Sequence, residues 1–246
     1  MQSDELIRVK VYTERGQCVE VAKEPQNQIQ FDNYRKHGGA TLGPYTTHIW
    51  KHDPRHLVFL LARYKFVAKM LEGRGKVLEV GCGDAFGTPV VAQTVKHVHG
   101  LDFEPMLMDD NRVRLKEISC SFEVCDITKK LPEGGPFEAA YSLDVVEHIP
   151  LEKEHLYFQN IAASLTPEGV FIMGTPNQTA NEYASEGSRL GHINLKTHKT
   201  VKESMARCFE NVFIFSMNDE VVHTGFGPMA HYLFAMGVGV KGKRSL

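Results

Sequence analysis

Residues 77–87 combine an acid with closely spaced glycines, a combination suited to holding a small ligand against the main chain. The segment reads VLEVGCGDAFG, in which β-forming residues precede Gly81 and Gly83. Glycine permits a tight turn and lets a ligand approach where a side chain would block it. The segment therefore predicts a buried strand followed by a binding loop for an anionic or nucleoside ligand.

The spacing of the glycines discriminates between ligand classes. The dinucleotide fingerprint requires G-x-G-x-x-G, whereas the third glycine of this chain stands one position later, at Gly87. An NAD-dependent oxidoreductase therefore fits poorly and is kept as an alternative. The next residues predict a helix start, with Thr88 as the N-cap and Pro89 at the first helical position.

Two later acids follow predicted strands. Asp102 ends the strand predicted at 97–102, where a carboxylate can accept hydrogen bonds from both hydroxyls of a ribose. Asp126 ends the strand predicted at 121–126. Aspartate is also common in turns, so a structural role is the alternative for each acid.

The segment 142–149, SLDVVEHI, offers acid–base groups at the end of the next strand. Histidine titrates near neutral pH, which makes His148 our leading candidate for a base that deprotonates a hydroxyl. Shaping a cofactor pocket is its alternative role. Asp144, Glu147 and His148 also form a set of oxygen and nitrogen ligands for a divalent cation. Magnesium prefers near-octahedral oxygen ligands, so we predict no metal and keep this trio as the alternative.

A long polar connection, residues 174–200, follows the predicted strand 169–175. Such long connections are usually functional or disordered, so we expect this one to cover a substrate. Its hydrogen-bonding walls suit a hydroxylated acceptor such as a sugar better than a quinone or lipid. His192 is the second candidate base, with anchoring of the loop as its alternative role. The polar side chains of the segment include Asn177, Gln178, Asn181, Glu182, Ser185, Arg189, His192, Asn194 and His198.

Alternating elements must position these groups. Such alternation is typical of an α/β fold with a parallel sheet and helices on both faces. The last two apolar runs have only a short connection, which predicts an antiparallel final pair. Strands are predicted at 76–81, 97–102, 121–126, 137–144, 169–175, 211–219 and 231–239. Helices are predicted from Asp53-Pro54 to near Gly73, at about 151–165, and from a capping box at Thr200 and Glu203.

The first 52 residues differ in pattern from the rest of the chain. Residues 7–22 alternate apolar and polar on both sides of the turn-like residues 14–17, which predicts a β-hairpin. Residues 25–52 show little periodicity. We therefore predict a hairpin and irregular extension over 1–52 and a main domain over 53–246.

The amino-acid composition limits the classes of binding partner and the cellular location that we expect for the protein. The 246 residues suffice for a substantial core, and 28 Lys and Arg against 30 Asp and Glu leave a net charge of −2. Nucleic acid is therefore a poor candidate substrate. The five cysteines lack zinc-type spacing and suggest a reducing compartment. With no signal peptide or membrane-length apolar run apparent, we predict a cytoplasmic protein without membrane insertion, and we leave a homodimer open.

The order of these motifs carries a family resemblance. The run Glu79-Val-Gly81-Cys-Gly83, followed by Asp102, Asp126 and the D-x-x-E-H set, resembles the class I S-adenosylmethionine-dependent methyltransferases over roughly residues 54–240. The branch it looks like is the ubiquinone-type and polysaccharide-associated small-molecule group. The resemblance implies a Rossmann-like sheet of seven strands, mostly parallel, with the last strand antiparallel.

The resemblance also implies a cofactor and its binding residues. S-adenosylmethionine would lie along the strand ends, with Asp126 accepting from the adenine amine and Ile127 packing on the ring. By the same resemblance, Trp50, His56 and Tyr64 could close over the cofactor. The implied cofactor-binding residues are Glu79, Gly81, Cys82, Gly83, Asp102, Phe103, Asp126, Ile127 and Leu143.

The function that this resemblance implies is methyl transfer to an oxygen of a polar small molecule. A sugar or sugar nucleotide is the expected acceptor, because the segment 174–200 is rich in polar side chains. Three alternatives stay open: a quinol or phenol acceptor, the NAD-dependent oxidoreductase, and a binding module that keeps the fold without turnover.

Overall fold

The computed structural model describes residues 10–12 and 18–243 of the chain. It divides into two compact units, residues 1–41 and 42–246. In the first unit, strand β1 (Lys10–Tyr12) pairs antiparallel with β2 (Cys18–Glu20), and helix α1 covers Gln28–His37. The predicted hairpin turn at 14–17 and the start of that hairpin lie outside the described residues.

The second unit alternates strands and helices. Its helices are α2 (Pro44–His52), α3 (His56–Met70), α4 (Thr88–Ala92), α5 (Pro105–Arg114), α6 (Glu154–Ser164), α7 (Glu186–Gly191) and α8 (His198–Ala206). Its strands are β3 (Lys76–Val80), β4 (His97–Asp102), β5 (Cys120–Val124), β6 (Phe137–Leu143), β7 (Leu165–Pro176), β8 (Phe209–Asn218), β9 (Val221–His223) and β10 (Tyr232–Val240).

All eight strands of the second unit form one sheet, in the order β5-β4-β3-β6-β7-β10-β8-β9. The five strands from β5 to β7 are parallel, and β10 inserts antiparallel between β7 and β8. The α/β Rossmann-like class and the antiparallel end of the sheet are therefore confirmed. The carboxyl ends of β3, β4 and β6 meet at one edge, where an open α/β sheet binds its ligands.

The predicted count of seven strands is wrong by one. The additional strand, β9, pairs antiparallel with the end of β8, from Ser216 opposite His223 to Asn218 opposite Val221. The chain reverses at Asp219, whose φ of 50° lies in the left-handed region. A strand of three residues is too short for its apolar alternation to stand out in the sequence.

Both faces of the sheet are covered, which explains the nearly continuous apolar strands. Successive side chains alternate between faces, so Leu78 and Val80 join one core cluster with Phe171 and Ile161, whereas Val77 joins the other. Helix α6 contributes to the first cluster and helix α3 to the second. This double packing gives the sheet edge a rigid support.

Several helix boundaries differ from the prediction. Helix α3 begins at His56, with Arg55 at the N-cap position and no side-chain cap. Asp53 is therefore not its N-cap. Helix α8 begins at His198, with Thr197 as its N-cap. The Thr197 hydroxyl accepts from the Thr200 amide at 3.2 Å, and the Thr200 hydroxyl accepts from the Thr197 amide at 2.9 Å. The capping box thus uses two threonines, while Glu203 lies further along the helix.

Helices α1 and α2 occupy part of the region predicted to be irregular. The sequence does not reveal them because both are short and rich in polar residues, which hides a helical period. The segment 174–200 is also partly helical, with a 3-10 turn at Gln178–Tyr183 followed by α7. Cys82, Cys120, Cys125 and Cys208 are free thiols. Among those residues, no helix is both long and apolar enough to cross a membrane.

Candidate active site

The loop after β3 forms a cradle that a side chain would fill. Gly81 and Gly83 have φ values of 72° and 53°, in the region that favours glycine. A Cβ at Gly81 would lie 2.3 Å from a methyl of Val145, whereas a Cβ at Gly83 would meet only the ring of Tyr45, at 3.5 Å. The main chain at Gly83 is therefore open to a ligand, as the sequence predicts.

Asp102 faces this loop from the end of β4. Its Oδ2 accepts from the amide of Gly83 at 3.0 Å, and its Oδ1 accepts from the amide of Glu104 at 3.1 Å. Each carboxylate oxygen has a further lone pair, so Asp102 can still accept from two neighbouring hydroxyls. These contacts match the acceptor role that the sequence predicts for it.

Asp126 stands at the end of the next strand with its charge compensated. The backbone and hydroxyl of Thr128 donate to its Oδ1 at 3.0 and 2.7 Å, and Lys129 lies 2.9 Å from its Oδ2. Partial burial opposes ionisation, but these donors hold the pKa of Asp126 below its usual value. Asp126 is therefore a fixed, ionised hydrogen-bond acceptor.

A cavity of about 470 Å³ joins these strand ends. Its size lies within the range of small-molecule sites. Its lining includes the carboxylates of Asp102, Asp126 and Asp144 and the ammonium of Lys153. Asp126 and Asp144 already have cationic partners, Lys129 and Arg63. The lining residues are Tyr45, Val80, Gly81, Gly83, Asp102, Phe103, Cys125, Asp126, Ile127, Thr128, Asp144, Val145, His148, Ile149, Pro150 and Lys153.

Some predicted site residues do not line this cavity. Cys82 and Leu143 are buried in the core clusters, and His192 lies behind His148. Glu79 is buried at 2% exposure, where the hydroxyl of Thr88 donates to its Oε2 at 2.6 Å. Burial raises the pKa of Glu79 to about 7, and the Thr88 hydrogen bond opposes that shift.

Glu79 therefore supports the glycine loop from behind and ties it to α4. This contact also explains why Thr88 is not the N-cap of that helix. Gly87 occupies the cap position, and Thr88, as the first helical residue, turns its hydroxyl toward Glu79. The strand and the helix that flank the loop are joined by one buried hydrogen bond.

His148 is the cavity residue best suited to accept a proton. Its Nδ1 lies 3.0 Å from the carbonyl oxygen of Gly191. A carbonyl can only accept a hydrogen bond, so Nδ1 carries the proton of the neutral ring and Nε2 keeps a free lone pair. The ring of His192 stands edge-on at a centroid distance of 5.1 Å. Burial, and then the neighbouring His148, lower the pKa of His192, which keeps it neutral.

Asp144 is engaged in an ion pair. Its φ of 57° turns the chain at the end of β6, and its Oδ2 accepts from Nη1 of Arg63 at 2.6 Å. The Arg63 guanidinium also stacks over the ring of Tyr232, 3.9 Å from its centroid. One oxygen of Asp144, the metal ligand considered in the sequence, is therefore committed to Arg63.

Glu147 is fully buried directly behind His148. The Thr175 hydroxyl donates to its Oε2 at 2.9 Å, while its Oε1 has no partner. Burial, and then the charge of Asp144, raise the pKa of Glu147 to about 8. Donor atoms of Glu147, His148 and His192 lie within 4.8 Å of one another, so this trio could hold a cation. It shares Glu147 and His148 with the trio considered in the sequence and has His192 in place of Asp144.

Tyr45 is the main lining residue that the sequence analysis missed. It belongs to the first turn of α2, and its ring stands over Gly83. The residues expected in this role do not line the cavity: Trp50 is 60% exposed, and Tyr64 packs edge-on against Tyr141 beneath Gly87. The pair Gly43-Pro44 before Tyr45 is a helix-start signal that could have indicated α2.

Comparisons with known proteins agree with this geometry. Residues 77–169 match the family described as a methyltransferase domain. The chain is 26% identical over 136 residues to the ubiquinone biosynthesis O-methyltransferase of Coxiella burnetii, covering 54% of this chain and 57% of that protein. It is 28% identical over 127 residues to the mitochondrial ubiquinone biosynthesis O-methyltransferase of Arabidopsis thaliana, covering 48% and 37%. The chain thus spans 57% of the length of the first of these relatives and 37% of the second.

The fold matches solved methyltransferase structures. The N-methyltransferase NodS from Bradyrhizobium japonicum, in complex with S-adenosyl-L-homocysteine, superimposes with a TM-score of 0.55 at 16% identity, covering 77% of this chain and 91% of that one. These comparisons support a class I S-adenosylmethionine-dependent methyltransferase. The glycine loop also fits the cofactor, because Gly83 lines the cavity and Asp102 has spare acceptor capacity.

Proposed function

We propose that this methyltransferase transfers a methyl group from S-adenosylmethionine to a hydroxyl of a small molecule. The observation that supports this most directly is the position of His148, which lines the cofactor cavity and whose Nδ1 is engaged by the Gly191 carbonyl. An alcohol or phenol must lose its proton as it is methylated, and a neutral imidazole can accept that proton near neutral pH.

The remaining residues position the reactants. Gly81, Gly83 and Asp102 would hold the cofactor, which supplies an electrophilic methyl group, and Asp126 with Ile127 would hold its adenine end. His148 would take the proton of the acceptor hydroxyl at Nε2, while the Gly191 carbonyl keeps Nδ1 protonated. Holding both reactants in line and excluding water accounts for most of the expected rate gain.

Among acceptors, we favour a quinol or phenol. A phenol ionises with a pKa of about 10, as tyrosine does, so one histidine suffices to deprotonate it, whereas an aliphatic hydroxyl is far less acidic. Two of the polar side chains that suggested a sugar have structural partners. Asn177 donates to the carbonyls of Gly227 and Ala230, and Asn194 donates to Glu154 at 2.8 Å. The curated O-methyltransferase relatives support the same choice.

The sugar nucleotide predicted from the sequence is the second arm of the test. The protein is incubated with S-adenosylmethionine and, separately, with quinols, simple phenols and sugar nucleotides, and the products are analysed by mass spectrometry. We expect a gain of one methylene on a phenolic or quinol hydroxyl. Methylation of the sugar nucleotides alone would reassign the acceptor. Binding of NADH without binding of S-adenosylhomocysteine would reject methyl transfer altogether.

The role of His148 has a matched control. The substitution His148→Ala should lower the turnover rate by about a hundredfold or more, with the affinity for S-adenosylhomocysteine unchanged. His155 is an exposed histidine on α6 outside the cavity, so His155→Ala should leave the rate intact.

Repeating the assay with a chelator tests the trio of Glu147, His148 and His192. We expect no loss of rate, and a loss restored by a divalent cation would show that the trio holds a metal.

A further inference from the structure

Asp84 follows the glycine loop and is almost completely buried, with 5% of its surface exposed. Its carboxylate contacts the start of α2, 38 residues earlier in the chain. Oδ2 accepts from the backbone amide of Thr46 at 2.7 Å, and Oδ1 accepts from the Thr46 hydroxyl at 3.1 Å. A carboxylate placed on the first free amides of a helix acts as its N-cap and favours its dipole. Asp84 thus caps a helix to which it does not belong.

The main chain of α2 approaches Asp84 very closely. A Cβ at Gly43 would lie 2.5 Å from both Cβ and Oδ2 of Asp84, so only glycine fits at this point. Two residues after Gly43, Tyr45 lines the cavity together with Gly83, and a Cβ at Gly83 would lie 3.5 Å from the Tyr45 ring. Burial, and then the charges of Asp102, Glu104 and Asp84, raise the pKa of Tyr45, so its hydroxyl stays protonated. Tyr45, which lines the cavity, is therefore a neutral hydrogen-bond donor.

The other side of Asp84 is fixed from α5. Arg114 donates to the Asp84 carbonyl at 2.6 Å and to Oδ1 of Asn111 at 2.6 Å, and Asn111 donates to the Gly83 carbonyl at 2.8 Å. Two hydrogen bonds from α5 thus hold the main chain of the glycine loop. Helix α2, which also packs against α3, is joined to the loop through the carboxylate of Asp84.

We propose that Asp84 is a positioning residue that docks α2 on the glycine loop, so that Tyr45 closes the cofactor cavity and cofactor binding is coupled to the docking of α2. The inference rests on the proposed function, because it takes S-adenosylmethionine as the ligand of the loop. By thermodynamic linkage, a cofactor that contacts Tyr45 stabilises docked α2, and docked α2 strengthens cofactor binding by the same factor.

The sole tryptophan of the chain provides a direct readout. Trp50 lies on α2 and is 60% exposed, so its fluorescence anisotropy reports how firmly this helix is held. Loss of the cap in Asp84→Ala should lower the anisotropy of the free protein and weaken S-adenosylhomocysteine binding in calorimetry by about tenfold. Saturating S-adenosylhomocysteine should restore the anisotropy, since the ligand favours the docked helix. Asp84→Asn, which keeps one acceptor oxygen, should show a smaller effect.

Two further variants keep the test independent of a folding defect. Gly43→Ala pushes α2 away from Asp84 without altering any residue of the cavity, and it should reproduce both effects of Asp84→Ala. Asp109→Ala removes an exposed carboxylate of α5 and should change neither. Weaker binding without a change in Trp50 anisotropy, or unchanged binding in both Asp84→Ala and Gly43→Ala, would overturn the proposal. A wild-type protein that fails to bind S-adenosylhomocysteine would instead reject the proposed function.

Discussion

At the scale of single residues, the buried Glu147 makes stability depend on pH. Its pKa rises from an ordinary 4.5 to about 8 in the folded protein. The native state therefore holds a proton that the unfolded state releases, and this contribution is complete below pH 4.5 and is lost as the pH rises to about 8. Thermal unfolding of Glu147→Gln should accordingly depend less on pH across this window than unfolding of the wild type.

Glu79 is a second buried carboxyl with a raised pKa, and its effect on the pH dependence can be compared with that of Glu147. Its pKa is raised to about 7, so Glu79→Gln should flatten the pH dependence over a narrower window that ends near that pH. Parallel unfolding curves for Glu147→Gln and the wild type would show that Glu147 titrates normally. A shift confined to one variant would show which of the two buried carboxyls carries the effect.

The carboxylate of Asp102 should determine nucleoside affinity. Because both of its oxygens retain acceptor capacity, hydrogen bonds from two ribose hydroxyls to this charged group are worth about 1.5 kcal/mol or more each. We therefore expect Asp102→Ala to weaken S-adenosylhomocysteine binding by about a hundredfold in calorimetry. Asp53→Ala, which removes an exposed carboxylate outside the cavity, should leave the affinity unchanged. Equal affinities for the two variants would argue against ribose contacts at Asp102.

At the scale of elements, a buried ion pair fixes the segment 174–200. Lys196 and Glu154 are both less than 10% exposed and form an ion pair between this segment and α6. Asn194 and Ser204 donate to the same carboxylate, at 2.8 and 2.6 Å. The network anchors the end of the segment to α6 and α8.

Removing one charge of this pair should be costly. Lys196→Met leaves the Glu154 carboxylate buried without its cation, which we expect to lower the free energy of unfolding by about 3 kcal/mol in urea denaturation. The double variant with Glu154→Gln should recover much of that loss, because no unpaired charge remains buried. A double variant as unstable as the single one would show that packing, and not charge, dominates at this position.

At the scale of the whole molecule, every residue of the cofactor cavity lies in the unit 42–246. Ligand binding stabilises the structure that binds it, so protection should be confined to that unit. In hydrogen-exchange mass spectrometry, S-adenosylhomocysteine should slow exchange at the ends of β3, β4 and β6 and at the start of α2. Exchange in α1 should not change, and slowing there of similar size would show that the first unit takes part in binding.

Much of this architecture could be predicted from the sequence, because its signals are local. Buried parallel strands are continuous apolar runs, and the glycines and acids at their ends stand at fixed positions along the chain. Asp102 and Asp126 follow their strands directly, so their place at the common edge follows from the parallel order of the sheet. The position of Gly87 is enough to disfavour an NAD-binding loop.

The remainder depends on contacts between distant residues. The pairing of Asp144 with Arg63 spans 81 residues, and the contact of Asp84 with Thr46 spans 38. Nothing in the local pattern of either partner shows that the other will be near. Glu79 and Glu147 read as polar groups near a ligand, yet packing buries both behind the residues that line the cavity. Strand β9 and helix α2 were missed because short elements carry too little periodicity.

The hydrogen bond between His148 and Gly191 joins a residue inside the family-matched stretch to a residue outside it. Its two partners are 43 residues apart, and the stretch that matches the methyltransferase family ends at residue 169, between them. The glycine loop, Asp102, Asp126 and His148 lie inside that stretch, whereas the carbonyl that fixes the imidazole tautomer lies outside it. A change in α7 that moves the Gly191 carbonyl would therefore alter the tautomer of His148, and with it the acid–base chemistry, while the residues around the cofactor stay in place.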